Sequence, residues 1–218
     1  GLRSDENDET YVWNIYMRLG LLPISAKPYH AGHHALVTKA AMQNDEVLLY
    51  VSLSDRKRKG EFPISGASMK RIWEEEIEKI LPGNVTVIYG GSPIKHVYKV
   101  LEDAEEKAIS EDGLEHVYTV YSDPVDTATN FSERNRVKYF PTAYNEGLIR
   151  FAAEVSPQEF TRGEGTPNIR GADLRAALQK KDLQTLALGM PPGVDVENVY
   201  NILQSQFDEQ IIRDYVRI

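Results

Sequence analysis

The chain alternates short, unbroken apolar runs with longer stretches whose apolar positions recur every three or four residues, and each run or stretch predicts one element. Residues 19–24 are apolar throughout, as a strand covered on both faces requires, and a helix follows over about 32–44. Residues 47–51 and 85–89 read as the second and third strands, 117–121 as the fourth and 148–155 as the fifth. Between the second and third, Met69, Ile72, Trp73, Ile77, Ile80 and Leu81 share one face of a helix that Ser65 or Ser68 can cap and Pro82-Gly83 ends. Val97, Val100, Leu101, Ala104 and Ala108 mark a helix after the third strand, and residues 122–147 read as less regular. From 195 onward Val199, Leu203, Phe207, Ile211 and Tyr215 recur every four residues, within a helical C-terminal segment that starts at about 182. Strands alternating with helices predict an α/β, Rossmann-like fold: a mainly parallel sheet with helices on both faces, followed by C-terminal helices.

Composition narrows the class. With 218 residues, 41% hydrophobic and 27% charged, the chain suits one α/β domain over 11–218, preceded by an acidic, polar tail over 1–10. Residues 11–18 mix aromatic and polar types and suit a cover over one edge of the core. A formal net charge of -8 argues against nucleic acid as a partner, because binding a phosphate backbone needs a basic surface. No cysteine is present, which excludes disulfides, thiolate metal sites and cysteine nucleophiles. No apolar run approaches the roughly 20 residues that span a bilayer, and no signal-like start is visible, so a cytoplasmic protein without a membrane partner is expected. A homo-oligomer is compatible with all of this.

The chemistry concentrates in His30-Ala31-Gly32-His33, a turn between the first strand and the first helix. Such a turn offers unpaired backbone N–H groups and the positive end of a helix, both favourable to a phosphate chain. Two imidazoles three residues apart, with Gly32 between them allowing close approach to the main chain, can donate to phosphoryl oxygens from one side. The remaining histidines and tryptophans, His34, His96, His116, Trp13 and Trp73, read as structural residues.

The run from Ser25 through Ala26, Lys27, Pro28 and Tyr29 to His30-Ala31-Gly32-His33-His34 resembles the first signature of the nucleotidyltransferase superfamily. That family comprises adenylyl- and cytidylyltransferases, among them the nicotinamide-nucleotide and pantetheine-phosphate adenylyltransferases. Ile169-Arg170-Gly171-Ala172-Asp173-Leu174-Arg175 is similar to its second signature, and the likeness spans about residues 19–205. The resemblance implies a nucleoside triphosphate, ATP before CTP, whose α-phosphate faces the phosphate of a small acceptor. The acceptor attacks directly and pyrophosphate leaves, with Mg²⁺ accompanying the triphosphate.

In this reading His30 and His33 stabilise charge on the transferring group, Arg175 forks onto β- or γ-phosphate oxygens, and Lys27 contacts a phosphate as a point charge. Ser25, Ala26, Tyr29, Gly32 and Asp123 belong to the nucleotide site, with the main chain of Ile169, Arg170, Gly171 and Ala172 lining its base and phosphate pocket. Arg56, in the basic run at 56–59, and Arg71 are candidates for holding the acceptor's anion.

Departures from the family pattern motivate a second reading. Most members carry Gly where Ile24 stands and an acidic or amide residue where Lys27 stands, and Arg170-Gly171-Ala172 lacks the hydroxyls of the second signature. A catalytically weak or silent nucleotide-binding module of the same fold is therefore the alternative. Residues 162–165 faintly resemble the cytidylyl branch.

Overall fold

The computed structural model describes residues 17–110, 116–155 and 169–216, with side chains up to Asp208 in the last segment. The expected tail, Trp13 and residues 162–165 lie outside the described residues.

The strands are β1 (Arg18–Ile24), β2 (Glu46–Val51), β3 (Val85–Tyr89), β4 (Val117–Val120) and β5 (Ile149–Phe151). They form one all-parallel sheet in the order β3-β2-β1-β4-β5, an α/β Rossmann-like architecture. Leu21 pairs with Val120, and Val120 in turn with Phe151. Leu21 and Leu22 are both fully buried, and since neighbouring strand residues face opposite ways, both faces of β1 are covered.

The expected strand over 148–155 is shorter, and its second half is helical. β4 ends at Val120, so only Ile149–Phe151 find partners, and the chain turns into helix Ala152–Val155. That turn brings the Glu154 carboxylate back onto Arg136, whose Nη1 and Nη2 donate to it at 2.8 and 2.6 Å while its guanidinium lies 3.9 Å over the Phe151 ring.

The remaining helices are α1 (Ala31–Gln43), α2 (Gly66–Ile72), α3 (Pro93–Ile109), α4 (Pro124–Asn130), α5 (Glu133–Tyr139), α6 (Pro141–Asn145), α7 (Ala152–Val155), α8 (Gly171–Gln179), α9 (Leu183–Gly189) and α10 (Val196–Val216). Ser65, not Ser68, caps α2: its hydroxyl accepts the Ser68 N–H. The helix expected as far as 81 is regular only to Ile72. It then widens into a π turn at Trp73–Ile77 and tightens into a 3₁₀ turn at Glu78–Ile80. The wide turn buries Trp73 and Ile77 and holds the buried Glu76 carboxylate, which accepts from Lys79, the Asp195 backbone and Asn198. The irregular stretch at 122–147 contains α4, α5 and α6, capped by Asp123, Ser132 and the Glu105 carboxylate respectively.

The chain divides into two compact units. The described part of the first comprises 17–24, 39–50, 83–110 and 116–155 and carries the sheet, with a core of Leu21, Val97, Leu101, Val120, Phe131, Phe140 and Phe151. The described part of the second comprises 25–38, 51–82 and 169–216. In it α9 packs on α8 and α10, and α10 on α2, where Gln206 accepts the Ser65 N–H and donates to Pro63 O. Gly66 is required there, because a Cβ would lie 1.6 Å from Leu53 O. Among the described residues no helix is long and apolar enough to cross a membrane.

Candidate functional site

The two histidines of the turn are built into the start of α1. His30 precedes the helix, and its Nδ1 accepts the Gly32 N–H at 3.0 Å. His33, one turn on, accepts the His30 N–H on its own Nδ1 at 3.1 Å. The His33 half is that of a capping box, a third-position side chain accepting the N-cap N–H, while His30 accepts from the second position instead, with imidazoles in place of the usual hydroxyl and carboxylate. The spacing of three between the histidines thus lets His33 reach back to the His30 N–H.

The chemical consequence is a fixed tautomer. A nitrogen that accepts a backbone N–H carries a lone pair, so in both neutral rings the proton sits on Nε2 and makes it a donor. The rings pack 3.8 Å apart, and Tyr29 backs His33 at 5.6 Å in a nearly parallel stack. Tyr29 is itself buried against Trp73. Burial pushes its phenol up and His34 down, and the Tyr29 hydroxyl and His34 Nδ1 share a hydrogen bond of 2.9 Å. Tyr29 and His34 therefore support the pair from behind.

Before this turn, Ala26 adopts φ 50°, a left-handed conformation that costs a Cβ-bearing residue about 1 kcal/mol. The buried Lys27 ammonium donates to Ser25 O at 2.9 Å and Ser52 O at 2.8 Å, tying the loops after β1 and β2. Burial lowers its pKa, Asp55 opposes that shift and Arg56 adds to it. Two of its three protons thus go to main-chain carbonyls.

Arg175 comes from the first turns of α8 and joins the same loop. Its Nη1 donates to Lys27 O at 2.8 Å, so the guanidinium is bonded to a residue three positions before His30. Gly171 makes room for it, since a Cβ there would stand 3.0 Å from Arg175 Nη1. The Arg175 Nε is buried, without a hydrogen-bond partner among the described residues, and faces Glu61 Oε2 at 3.5 Å. Burial lowers the Arg175 pKa, with repulsion from Arg56 and Arg58 adding to it and Glu61 opposing it.

Arg56 opens a small hairpin, bridged to Ile64 by N–H···O bonds of 2.8 and 3.0 Å. Its guanidinium grips Glu61 bidentately at 2.9 and 3.1 Å, which with Arg175 and Arg58 nearby holds the Glu61 carboxyl below the usual carboxylate range. Lys27, His30, His33, Arg56 and Arg175, with Ser25, Ala26, Tyr29 and Gly32, are thus brought into the second unit together with residues 169–172. There Asp173 accepts the Arg170 N–H and begins α8.

Two candidates have other engagements. Arg71 is exposed on α2 and paired with Glu75 one turn on, at 2.5 Å. Asp123 lies in the first unit and caps α4 by accepting the Asp126 N–H. His96 stacks on Tyr50, and His116 Nδ1 accepts the Met17 N–H. Glu61 escaped the sequence reading. The signal was an acidic residue closing a basic hairpin loop, where Arg56 and Glu61 fall on facing arms around Gly60. Asp55 was also missed, and its carboxylate accepts the Gly66 N–H at 2.8 Å.

No family model matches the chain, and no curated protein matches it. Among solved structures it is similar to Thermotoga maritima TmcAL, in a crystal structure bound with alpha-thio ATP, at 15% identity and a TM-score of 0.38. That likeness covers 88% of this chain and 56% of the other, so the chain spans little more than half the length of that protein.

Proposed function

We propose that the chain is a nucleotidyltransferase, moving a nucleotidyl group, adenylyl from ATP before cytidylyl from CTP, onto a small phosphorylated acceptor. An acceptor phosphate oxygen attacks the α-phosphorus. The bond from that phosphorus to the bridging oxygen breaks, and pyrophosphate leaves with the electron pair. Mg²⁺ travels with the triphosphate and is held chiefly by phosphate oxygens and water.

One observation carries this reading. The His30 and His33 rings are locked with Nε2–H as donor, and Arg175 is bonded through Lys27 O to the loop that presents them. Fixed N–H donors and a guanidinium are what a transferring phosphoryl group needs, because the reaction asks for alignment and charge stabilisation more than for covalent help. Lys27 serves here as the brace that holds the loop, and Asp123 as a helix cap.

The test is pyrophosphate release with ATP or CTP, Mg²⁺ and a panel of phosphorylated acceptors. Release is expected only when nucleotide and acceptor are present together. Tight nucleotide binding with no release from any acceptor would favour the silent nucleotide-binding module.

A further inference from the structure

A phosphate-binding cluster has no evident need of a carboxylate, yet Glu61 sits in the middle of this one. Its Oε2 is 2.9 Å from Arg56 Nε and 3.5 Å from Arg175 Nε, and its Oε1 is 3.1 Å from Arg56 Nη2. The two guanidiniums therefore converge on one oxygen. They are the more enclosed members of the trio, their side chains 24% and 11% exposed against 31% for Glu61. Arg175 is further anchored by Lys27 O, while its Nε–H lacks a hydrogen-bond acceptor among the described residues. Glu61 follows Gly60, which has φ 81° and open space where a Cβ would be, at the tip of the hairpin.

We propose that Glu61 is an internal stand-in for the terminal phosphate of a polyphosphate ligand, a positioning residue that leaves the Arg56–Arg175 fork when the ligand enters. A guanidinium fork donates to two oxygens of a carboxylate or of a phosphate in the same geometry, so the carboxylate keeps both arginines aimed while no ligand is bound. A ligand of several negative charges displaces it, whereas a singly charged anion gains too little from the fork to do so. Glu61 thereby selects for polyphosphates, lowering apparent affinity by the fraction of molecules in which the fork is closed. The inference rests on the polyphosphate reading of the Arg175 site but not on group transfer.

Calorimetric titration of the full chain with inorganic tripolyphosphate at neutral pH tests it. Glu61→Gln is expected to tighten binding about fivefold, Glu61→Ala to act in the same direction, and Glu61→Asp to stay within about twofold of the parent chain. In an Arg56→Met background, where Glu61 has lost its bidentate partner, Glu61→Gln is expected to gain less than about twofold. Unchanged or weaker binding in both Glu61→Gln and Glu61→Ala overturns the proposal, and so does a gain that persists undiminished in Arg56→Met, since a diffuse charge effect would persist. The expected pattern without pyrophosphate release from ATP or CTP leaves the role of Glu61 standing and removes the transfer reading. Release with affinities that ignore Glu61 removes the role of Glu61 alone.

Discussion

An imidazole is a costly way to cap a helix when a serine or aspartate would serve, and what it adds is a second nitrogen of fixed character. Capping and donation can be separated by substitution. An asparagine at either position keeps an acceptor near Nδ1 but removes Nε2, so His33→Asn is expected to stay within about 0.5 kcal/mol of the parent stability while turnover falls about 100-fold. His33→Ala loses both functions, at about 1 kcal/mol of stability as well. Urea unfolding beside steady-state pyrophosphate release measures the two effects, and turnover within about twofold for His33→Asn would remove the ring from the chemistry. Arg175→Met is expected to weaken ATP binding about tenfold or more, and Arg175→Lys not to restore it, because an ammonium cannot both reach Lys27 O and present a planar fork. An unchanged ATP titration would exclude Arg175 from the site.

At the scale of elements, the turn between β1 and α1 depends on Ala26, buried and left-handed. Ala26→Gly is expected to be neutral or to stabilise by up to about 1 kcal/mol, and Ala26→Val to destabilise by more than that, as read from unfolding midpoints. Equal effects of the two would show that the left-handed turn is not required. The strands and α1 were legible because unbroken apolar runs leave few alternatives, and the candidate residues of the turn were legible from histidine spacing. What the spacing did not reveal is why it is three, since capping becomes visible only once the N–H partners are known. Helix α6 was illegible for a related reason. α6 is capped by the Glu105 carboxylate, 37 residues before Thr142, and no local pattern carries that information. The end of β5 was misread because the apolar run continues past Phe151, whereas the partner strand β4 stops at Val120. Glu61 was missed because a basic run conceals a single acid whose partner lies five residues earlier.

For the whole molecule, stability should depend on pH through the paired carboxyls of Asp123, which caps α4, and Asp126 in its first turn. Burial, a hydrogen bond with Asp123 and the charge of Asp123 raise the Asp126 pKa from 3.8 to about 6. In the unfolded chain Asp126 loses its proton near 3.8, whereas in the folded chain the pair holds it until about 6, so its stabilising contribution is full below the lower value and lost on rising through the higher. Asp126→Asn is therefore expected to gain on the parent chain as pH rises across that window and to keep a constant lead above it, measured by urea unfolding at a series of pH values. Parallel profiles would show that the pair does not share a proton. The central claim, that both imidazoles and Arg175 serve one polyanion, is tested most directly by following the histidine and arginine side-chain nitrogens by NMR during addition of ATP with Mg²⁺. The account expects His30 and His33 to report protonated Nε2 beforehand, and both Nε2 resonances and the Arg175 Nε–H to move together along one saturable curve. Imidazoles protonated on Nδ1, or resonances that stay still or follow separate curves, would contradict it.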